Sequence, residues 1–218
     1  SYSYEDFIEG FRPSASGLDL IKGSLYTFCK KAQDDTDNDY FFIVDEINRG
    51  NLSKIFGELF MLIENDKRGP NNKLQLLYSR ERFYVPSNVY LIGMMNTADR
   101  SLAMLDYALR RRFAFFDLRP GFDSKGFIAY RDSLGNPKLN NLLACTVKLN
   151  AAISDDDTLG DGFCIGHSYF CGMKAADVTD AKLSAIVEYE LAPMLREYWF
   201  DEPSKVREWT DALRKSIK

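Results

Sequence analysis

The stretch YFFIVDE at residues 40–46 decides the fold class of this chain. Its first five residues form an uninterrupted β-prone run, which is typical of a parallel strand buried on both faces. An amphipathic pattern over 52–63 predicts a helix directly afterwards. A second apolar run lies at 89–95, and a helix at 102–110 leads to a third predicted strand at 113–118. Strands that alternate with helices in this way predict a parallel α/β sheet.

Two further elements are predicted before residue 120. Apolar residues over 18–31 recur at the spacing of one helical face, so this segment is predicted to be a helix. Segments 73–78 and 82–85, separated by a short polar turn, are predicted to form a hairpin.

The character of the sequence changes after residue 120, where no further β-rich run of that strength occurs. Helices are predicted over 139–153 and 183–199. Pro193 falls inside the second of these and is expected to kink it or divide it in two. We therefore predict an α/β part at residues 1–120 and a smaller, mostly helical part at 121–218.

The composition excludes several classes of protein. The 218 residues carry 28 Lys and Arg against 32 Asp and Glu, a net charge of −4, and 45% of them are hydrophobic, which argues against wholesale disorder. The longest apolar runs are about five residues, whereas a membrane helix needs about twenty. The slightly acidic balance disfavours a dedicated nucleic-acid binder. Four cysteines without a Cys-x-x-Cys pair predict reduced thiols and a cytoplasmic location.

Polar side chains follow the first two predicted strands. Asp45 and Glu46 come directly after the first, where ligands of open α/β sheets bind. In NTP hydrolysis, carboxylates at this place hold Mg²⁺ and polarise the attacking water. Asn96 follows the second strand, where its side chain would contact that water and a phosphate. The same residue types also suit a helix cap, for Asp45, and a turn, for Asn96.

Three adjacent arginines, Arg110, Arg111 and Arg112, lead into the third predicted strand. Adjacent helical residues point in different directions, so all three cannot serve one site. A guanidinium that reached a neighbouring subunit's phosphate would act as an arginine finger. Arginines at a helix C-terminus also stabilise the helix dipole or contact a nucleic-acid backbone, and the residues alone do not choose between these roles.

Several strings of the sequence carry a family resemblance. The main ones are FIVDEINRGN at 42–51, GMMNTADRS at 93–101 and ALRRRF at 108–113, and the opening 1–13 and IGHSYF at 165–170 add to them. Together they resemble the McrB family, the AAA+ GTPase motor subunits of the McrBC modification-dependent restriction systems. The resemblance covers nearly the whole chain, and the string NTADR is its most specific part.

The resemblance implies the fold and the roles of the polar residues. The chain is expected to be the C-terminal part of an AAA+ P-loop NTPase core followed by a helical lid. Asp45 corresponds to the Walker B magnesium residue, Glu46 to the catalytic carboxylate and Asn96 to the sensor that positions water. Asp99 and Arg100 are expected to complete the same nucleotide-binding loop.

The resemblance also implies roles at subunit boundaries and in the lid. Arg111 and Arg112 are the residues expected to act across a subunit boundary, and Arg49 is a further candidate for the subunit interface. His167 is expected near the nucleotide. A zinc site at His167 is not expected, because Cys164 and Cys171 bring the ligands to three and no fourth lies nearby.

The activity and partners expected from the resemblance concern a longer protein. That protein would use Mg²⁺ and GTP or ATP, form a hexameric ring and drive a nuclease subunit like McrC, without any contact to a membrane. A separate N-terminal domain would read DNA that carries 5-methylcytosine. The alternatives are a general AAA+ ATPase that remodels proteins, and a non-catalytic nucleic-acid-binding or assembly module that uses the three arginines.

One part of the family pattern is missing. A Gly-x₄-Gly-Lys-Ser/Thr loop is needed to wrap the phosphates, and the sequence contains none. In the family this loop lies upstream of the residues matched by 1–13. We therefore expect the chain to start inside an NTPase core, and to neither bind nucleotide tightly nor hydrolyse it alone.

Overall fold

A computed structural model describes residues 3–96, 98 and 107–218, with the backbone alone at 107 and 108. The chain separates into two compact units, Ser1–Phe115 and Phe116–Lys218. Each unit has a hydrophobic core of its own.

The first unit mixes short helices with paired strands. In chain order its elements are α1 (Tyr4–Phe7), β1 (Glu9–Ser14), β2 (Gly17–Lys22), α2 (Ser24–Asp34), β3 (Tyr40–Val44), α3 (Leu52–Phe56), β4 (Leu74–Gln75), β5 (Arg82–Phe83), β6 (Val89–Gly93) and α4 (Tyr107–Arg110). Within its described residues, the 3₁₀ segments Ile47–Arg49, Gly57–Ile63 and Asn65–Lys67 connect them.

The predicted parallel sheet is present as the pair β3 and β6. Their register places Tyr40 opposite Val89 and Val44 opposite Gly93. One face of the pair packs on the core of the unit, but the other leaves Phe41 and Ile43 more than half exposed. The prediction of strands buried on both faces is therefore correct for one face only among the described residues.

No strand forms at 113–118, so the prediction of a third strand is wrong. A strand needs a neighbour to complete its hydrogen bonds, and in the described part of the chain β3 and β6 pair only with each other. Without such a neighbour, Phe116 and Leu118 are 85% and 97% exposed. The predicted helix at 102–110 lies partly outside the described residues, and its last four residues are helical as α4.

The helix predicted over 18–31 is correct only in its second half. Residues 17–22 form β2, which pairs antiparallel with β1 from Glu9 opposite Lys22 to Ser14 opposite Gly17. The helix begins at Ser24, after Gly23, where the backbone of Phe7 approaches too closely for a side chain. The ladder with β1 satisfies the backbone of residues 17–22 and outweighs their helical spacing.

The other predictions for this unit are confirmed in outline. The apolar residues of 52–63 are buried as the pattern predicts, but the α-helix ends at Phe56, because Gly57 has a φ of +53°. The segment continues as a 3₁₀ helix to Ile63. The predicted hairpin is present, with Leu74 opposite Phe83 in the pair β4 and β5.

The second unit is helical. Its α-helices are α5 (Lys125–Leu134), α6 (Pro137–Ser154), α7 (Asp180–Ala185), α8 (Ala192–Tyr198) and α9 (Pro203–Ser216). Of the two helices predicted here, α6 is confirmed, and the second is divided at Ile186–Leu191 into a π-helical stretch between α7 and α8. Pro193 explains the division, because it lacks an N–H and its ring excludes the carbonyl of residue 189, which a wider turn accommodates. Among the helices in the described ranges, none has the length and apolarity that crossing a bilayer requires.

Candidate nucleotide-hydrolysis site

The carboxyl ends of β3 and β6 bring two polar loops together. The ladder of the strands continues beyond them, since the N–H of Met94 donates to the oxygen of Val44 at 2.9 Å and that of Ile47 donates to Met94 at 3.0 Å. Gly93 permits this approach, because a Cβ there would lie 2.7 Å from the side chain of Ile47. The loop after Val44 and the loop after Gly93 are therefore held side by side.

Glu46 stands at the turn of the first loop in an unusual backbone conformation. Its φ of 49° and ψ of 44° are left-handed, which for a residue other than glycine costs about 1–3 kcal/mol. The Oδ1 of Asp45 accepts the Glu46 N–H at 2.8 Å and stabilises this turn. Strain of this kind is concentrated at functional sites, so the position of Glu46 favours a chemical role.

Arg49 lies beside Glu46 in the same loop. Its Nε is 2.7 Å from the Oε2 of Glu46, and both side chains are about half exposed. The pair orients the carboxylate without burying it. The structure thus places Arg49, predicted at a subunit interface, in contact with the predicted catalytic carboxylate of its own chain.

Asn96 lies in the second loop, as the sequence predicts. It is exposed, and its Oδ1 accepts the N–H of Ala98 at 3.1 Å. The structure therefore brings Asp45, Glu46 and Asn96 to one edge of the sheet. Asp99 and Arg100, predicted to complete this loop, lie outside the described residues.

Asn48 also lies at the candidate site, although the sequence pattern does not predict it there. Its Nδ2 donates a long hydrogen bond of 3.5 Å to the carbonyl oxygen of Asn96, and so joins the two loops. Its Oδ1 is buried and has no hydrogen-bond partner among the residues that the structure describes. An unsatisfied buried acceptor costs about 1–3 kcal/mol, so this atom is suited to accept a hydrogen bond from a bound water or ligand. The signal in the sequence was its place three residues after Asp45.

The donor set at this edge fits Mg²⁺. Asp45 and Glu46 offer carboxylate oxygens, the ligands that this ion prefers, and Asp45 forms no ion pair with any described residue. No group of three or more His, Cys, Asp and Glu suited to a metal occurs in the described ranges. Mg²⁺ does not require such a cage, because it is commonly held by one or two carboxylates together with substrate phosphates.

The three predicted arginines differ in their surroundings. Arg110 and Arg111 are exposed at the end of α4. Arg112 is folded back on its own unit, where it donates to the carbonyl oxygen of Phe60 and pairs with Glu64. The Arg111 side chain is therefore exposed, whereas that of Arg112 contacts its own unit, and the role across a subunit boundary stays a prediction for both.

His167 belongs to the second unit and contacts residues of that unit. Its Nδ1 accepts the N–H of Gly121 at 3.0 Å, and its ring packs edge-on against Phe122 and Phe127. The nearby thiols of Cys164 and Cys171 donate to backbone oxygens. His167 thus joins the beginning of the second unit to the 3₁₀ segment that carries it, His167–Phe170.

Comparison with known proteins gives the family. The family model of the AAA domain (dynein-related subfamily) matches residues 1–113, and that of the McrB α-helical lid domain matches 141–207. Over 98% of its length the chain is 52% identical to the Type IV methyl-directed restriction enzyme EcoKMcrB subunit of Escherichia coli (strain K12), of which it covers 48%. Over 53% of its length it is 28% identical to the Type II restriction enzyme BsuMI component YdiS of Bacillus subtilis (strain 168), of which it covers 37%.

The chain thus spans about half the length of the first relative and less of the second. The AAA family model alone covers more than half of the 218 residues. The lid model and the identity to the E. coli subunit specify the branch. This chain belongs to the McrB family of AAA proteins.

Proposed function

We propose that this chain supplies the hydrolytic half of an NTPase site in the motor subunit of a methyl-directed restriction system. The observation that carries the proposal is the juxtaposition of Asp45, Glu46 and Asn96 at the carboxyl ends of two parallel strands, in a chain of the McrB family. General bases and water-positioning groups act from this edge of a sheet.

The proposal assigns residues 1–120 to the C-terminal part of an AAA+ α/β core and residues 121–218 to a helical lid. Two observations support it: the units Ser1–Phe115 and Phe116–Lys218 are separately compact, and the lid model matches 141–207. A cytoplasmic setting is part of the proposal and is supported by four cysteines that are all free.

In the proposed reaction, a carboxylate oxygen of Glu46 accepts a proton from the attacking water. The water oxygen then forms the bond to the γ-phosphorus as the bond to the nucleoside diphosphate breaks. Asn96 orients the water, and the buried Oδ1 of Asn48 provides a second acceptor beside it. Asp45 would hold Mg²⁺, which neutralises charge on the phosphate oxygens.

Further residues enter the proposal from the family resemblance. Asp99 and Arg100 complete the loop after β6. Arg49 and Arg111 act at the boundary with a neighbouring subunit, since both side chains are exposed. His167 contacts the nucleotide from the lid through its Nε2, which has no hydrogen-bond partner among the described residues, because the Nδ1 is engaged by Gly121.

The nucleotide is proposed to be GTP or ATP. Its phosphates require a Gly-x₄-Gly-Lys-Ser/Thr loop, which the 218 residues do not contain. We therefore propose that the chain by itself neither binds nucleotide tightly nor hydrolyses it. The loop-bearing enzyme, meaning this chain joined to such a loop, is proposed to do both.

The proposed assembly is a hexameric ring that works with a nuclease subunit like McrC on DNA carrying modified cytosine. The printed descriptions of the relatives support this setting, since one is a methyl-directed restriction enzyme subunit and the other a restriction enzyme component. DNA reading is proposed to belong to a separate domain.

Binding of a fluorescent GTP or ATP analogue tests the proposal. We expect the loop-bearing enzyme to bind the analogue in the presence of Mg²⁺, and the 218-residue chain to show no binding at the same concentrations. Tight binding by the 218-residue chain alone would contradict the division of the site into two halves.

A further inference from the structure

Arg112 is anchored at three points on its own unit. Its Nε donates to the carbonyl oxygen of Phe60 at 3.1 Å, and its Nη2 lies 2.7 Å from the Oε1 of Glu64. The guanidinium carbon lies 4.3 Å from the centre of the Phe60 ring. Only 16% of the Arg112 side chain is exposed, whereas Arg110 and Arg111 are exposed.

These contacts commit the Arg112 guanidinium to its own chain. A hydrogen bond that involves a charged group is roughly twice as strong as a neutral one, and stacking of the guanidinium on an aromatic ring adds to it. To reach a phosphate of another subunit, Arg112 would have to give up the Phe60 and Glu64 contacts together. The residue is therefore poorly placed to act as a finger itself.

The turn that carries Arg111 is fixed at both ends. On one side, Leu109 is 5% exposed and packs in the core of the unit. On the other side, the N–H of Arg112 donates to the oxygen of Leu109 at 2.9 Å, and its side chain holds Phe60 and Glu64. Arg110 and Arg111 are the exposed residues between these two anchored positions, and Arg111 is the one directly adjacent to Arg112.

We infer that Arg112 is a positioning residue that holds Arg111 in place for contact with the NTP phosphates of a neighbouring subunit. The inference rests on the proposed ring and divides the arginine cluster into an acting residue, Arg111, and a support, Arg112. The residues that hold Arg112 are also connected to the loop of Glu46. Phe60 and Glu64 lie at the end of the segment that begins with α3, and α3 follows that loop directly. One continuous segment of the chain thus connects Glu46, in the subunit's own proposed site, to Arg111, which is proposed to contact the site of a neighbouring subunit.

Steady-state hydrolysis by variants of the loop-bearing enzyme separates the two roles. We expect Arg111→Ala to lower kcat about 10³-fold, the effect of removing an arginine finger. Arg112→Ala is expected to lower kcat about 10- to 100-fold with KM within about threefold, because binding is retained and only the placement of Arg111 is lost. Arg119→Ala is the control, since the Arg119 side chain is 80% exposed. We expect its kcat to equal that of the enzyme without substitutions.

Partial variants guard against a failure of Arg112→Ala to fold. Arg112→Lys retains the positive charge beside Glu64 but loses the planar guanidinium and its stacking on the Phe60 ring. Its kcat should therefore lie between those of the enzyme without substitutions and of Arg112→Ala. Glu64→Gln, which leaves both Phe60 contacts, should have a smaller effect than Arg112→Lys. An unchanged kcat for a folded Arg112→Lys or Arg112→Ala would overturn the inference.

Subunit mixing distinguishes positioning of Arg111 from a merely structural role. Arg112→Ala subunits keep Glu46, and Glu46→Gln subunits keep an intact Arg112, so a 1:1 mixture should regain about a quarter of the unchanged rate. That fraction follows because a site works only where an intact Glu46 meets a neighbour with an intact Arg112. No recovery would show that Arg112 acts within its own subunit and would overturn the inference.

The outcomes for the two proposals are separable. If the unchanged loop-bearing enzyme does not hydrolyse NTP, or if Glu46→Gln is fully active, the proposed function fails and the inference fails with it. If Glu46→Gln is inactive and Arg111→Ala is impaired while Arg112→Ala is not, the inference alone fails.

Discussion

The side-chain nitrogen of Asn48 lies 3.5 Å from the carbonyl oxygen of Asn96, and this contact joins the loops that follow β3 and β6. The two residues are far apart in the sequence, but the parallel register of the strands brings their loops to one edge. The other polar atom of the Asn48 amide, Oδ1, is buried and accepts no hydrogen bond from the described part of the chain. Glu46, the proposed catalytic carboxylate, lies two residues before Asn48. The position of Asn48 thus couples the proposed base to the proposed water-positioning loop.

Replacement of Asn48 tests this coupling. In the loop-bearing enzyme, Asn48→Ala is expected to lower kcat about tenfold, because the link to Asn96 and the acceptor for the water are both lost. Asn51→Ala is a matched control in the same loop, since the Asn51 side chain caps α3 by accepting the N–H of Lys54 at 3.0 Å. That control should cost about 1 kcal/mol of stability and leave kcat unchanged. Equal kcat values for the two variants would argue against a role of Asn48 in the site.

Gly93→Ala tests the close approach of the first loop to the end of β6. The added Cβ would lie 2.7 Å from the Cδ1 and 3.1 Å from the Cγ2 of Ile47, a side chain that is 7% exposed. Such overpacking is expected to lower the free energy of unfolding by about 1–3 kcal/mol, measured by urea denaturation of the chain. Adding Ile47→Val removes Cδ1 and should restore part of the loss. Additive effects of the two substitutions would contradict the contact.

Glu81 makes the stability of the first unit depend on acid pH. Burial raises the pKa of Glu81, but hydrogen bonds from Lys30, Tyr26 and Lys22 outweigh it and lower the pKa from its usual 4.5 to about 2. A lowered pKa in the folded state contributes stability above pH 4.5, which is lost as the pH falls from 4.5 toward 2.

Urea denaturation at pH 7 and pH 3 measures this contribution. The unchanged chain should lose stability between the two values by more than Glu81→Gln does, with a difference on the order of 1 kcal/mol after solvent screening. Asp37→Asn serves as the control, because Asp37 is exposed and its carboxylate has no ion-pair or hydrogen-bond partner among the described residues. The same pH dependence for Glu81→Gln and the unchanged chain would contradict the role given to Glu81.

Asp156 has a buried carboxylate that contacts two distant residues of the second unit. Its Oδ2 accepts hydrogen bonds from the Nε1 of Trp199 at 2.8 Å and from the Nζ of Lys205 at 2.5 Å. The bond from Lys205 is the largest cause of a lowered pKa of Asp156. The side chain of Asp156 is 6% exposed, and Trp199 is 1% exposed.

We expect Asp156→Ala to lower the free energy of unfolding by about 2–4 kcal/mol, because it leaves the Trp199 N–H buried without an acceptor. Asp157→Ala, at the exposed neighbouring residue, should change it by less than about 0.5 kcal/mol. Thermal or urea unfolding of the two variants measures the difference. Equal stabilities would show that the carboxylate of Asp156 is dispensable.

The sequence predicts those parts of the fold that depend on local pattern. Long apolar runs predict β3 and β6, and helical spacing predicts α6. Residues 18–22 are predicted to be helical and 113–118 to form a strand, and both predictions are wrong. Whether such a segment becomes a strand depends on a pairing partner elsewhere in the chain. β1 provides that partner for the first run, and no described strand does for the second.

The site divides in the same way. Asp45, Glu46 and Asn96 follow from their positions at strand ends, which the order of elements predicts. The burial of the Asn48 Oδ1 and the contact of Arg112 with Phe60 depend on side-chain packing between distant segments, which spacing along the chain does not reveal. The sequence therefore indicates which residues lie near the candidate site, and the structure shows which contacts each side chain makes and how exposed it is.

The central claim is that Glu46 acts as the base in NTP hydrolysis. The most direct test compares the turnover of GTP and ATP by the loop-bearing enzyme with that by its Glu46→Gln variant. Asp39→Asn is the control, because Asp39 is exposed and lies just before the amino end of β3. We predict that Glu46→Gln lowers kcat about 10²- to 10⁴-fold while the Kd for nucleotide changes less than about threefold, and that Asp39→Asn changes neither. A Glu46→Gln enzyme that turns over either nucleotide at the unchanged rate would contradict the account.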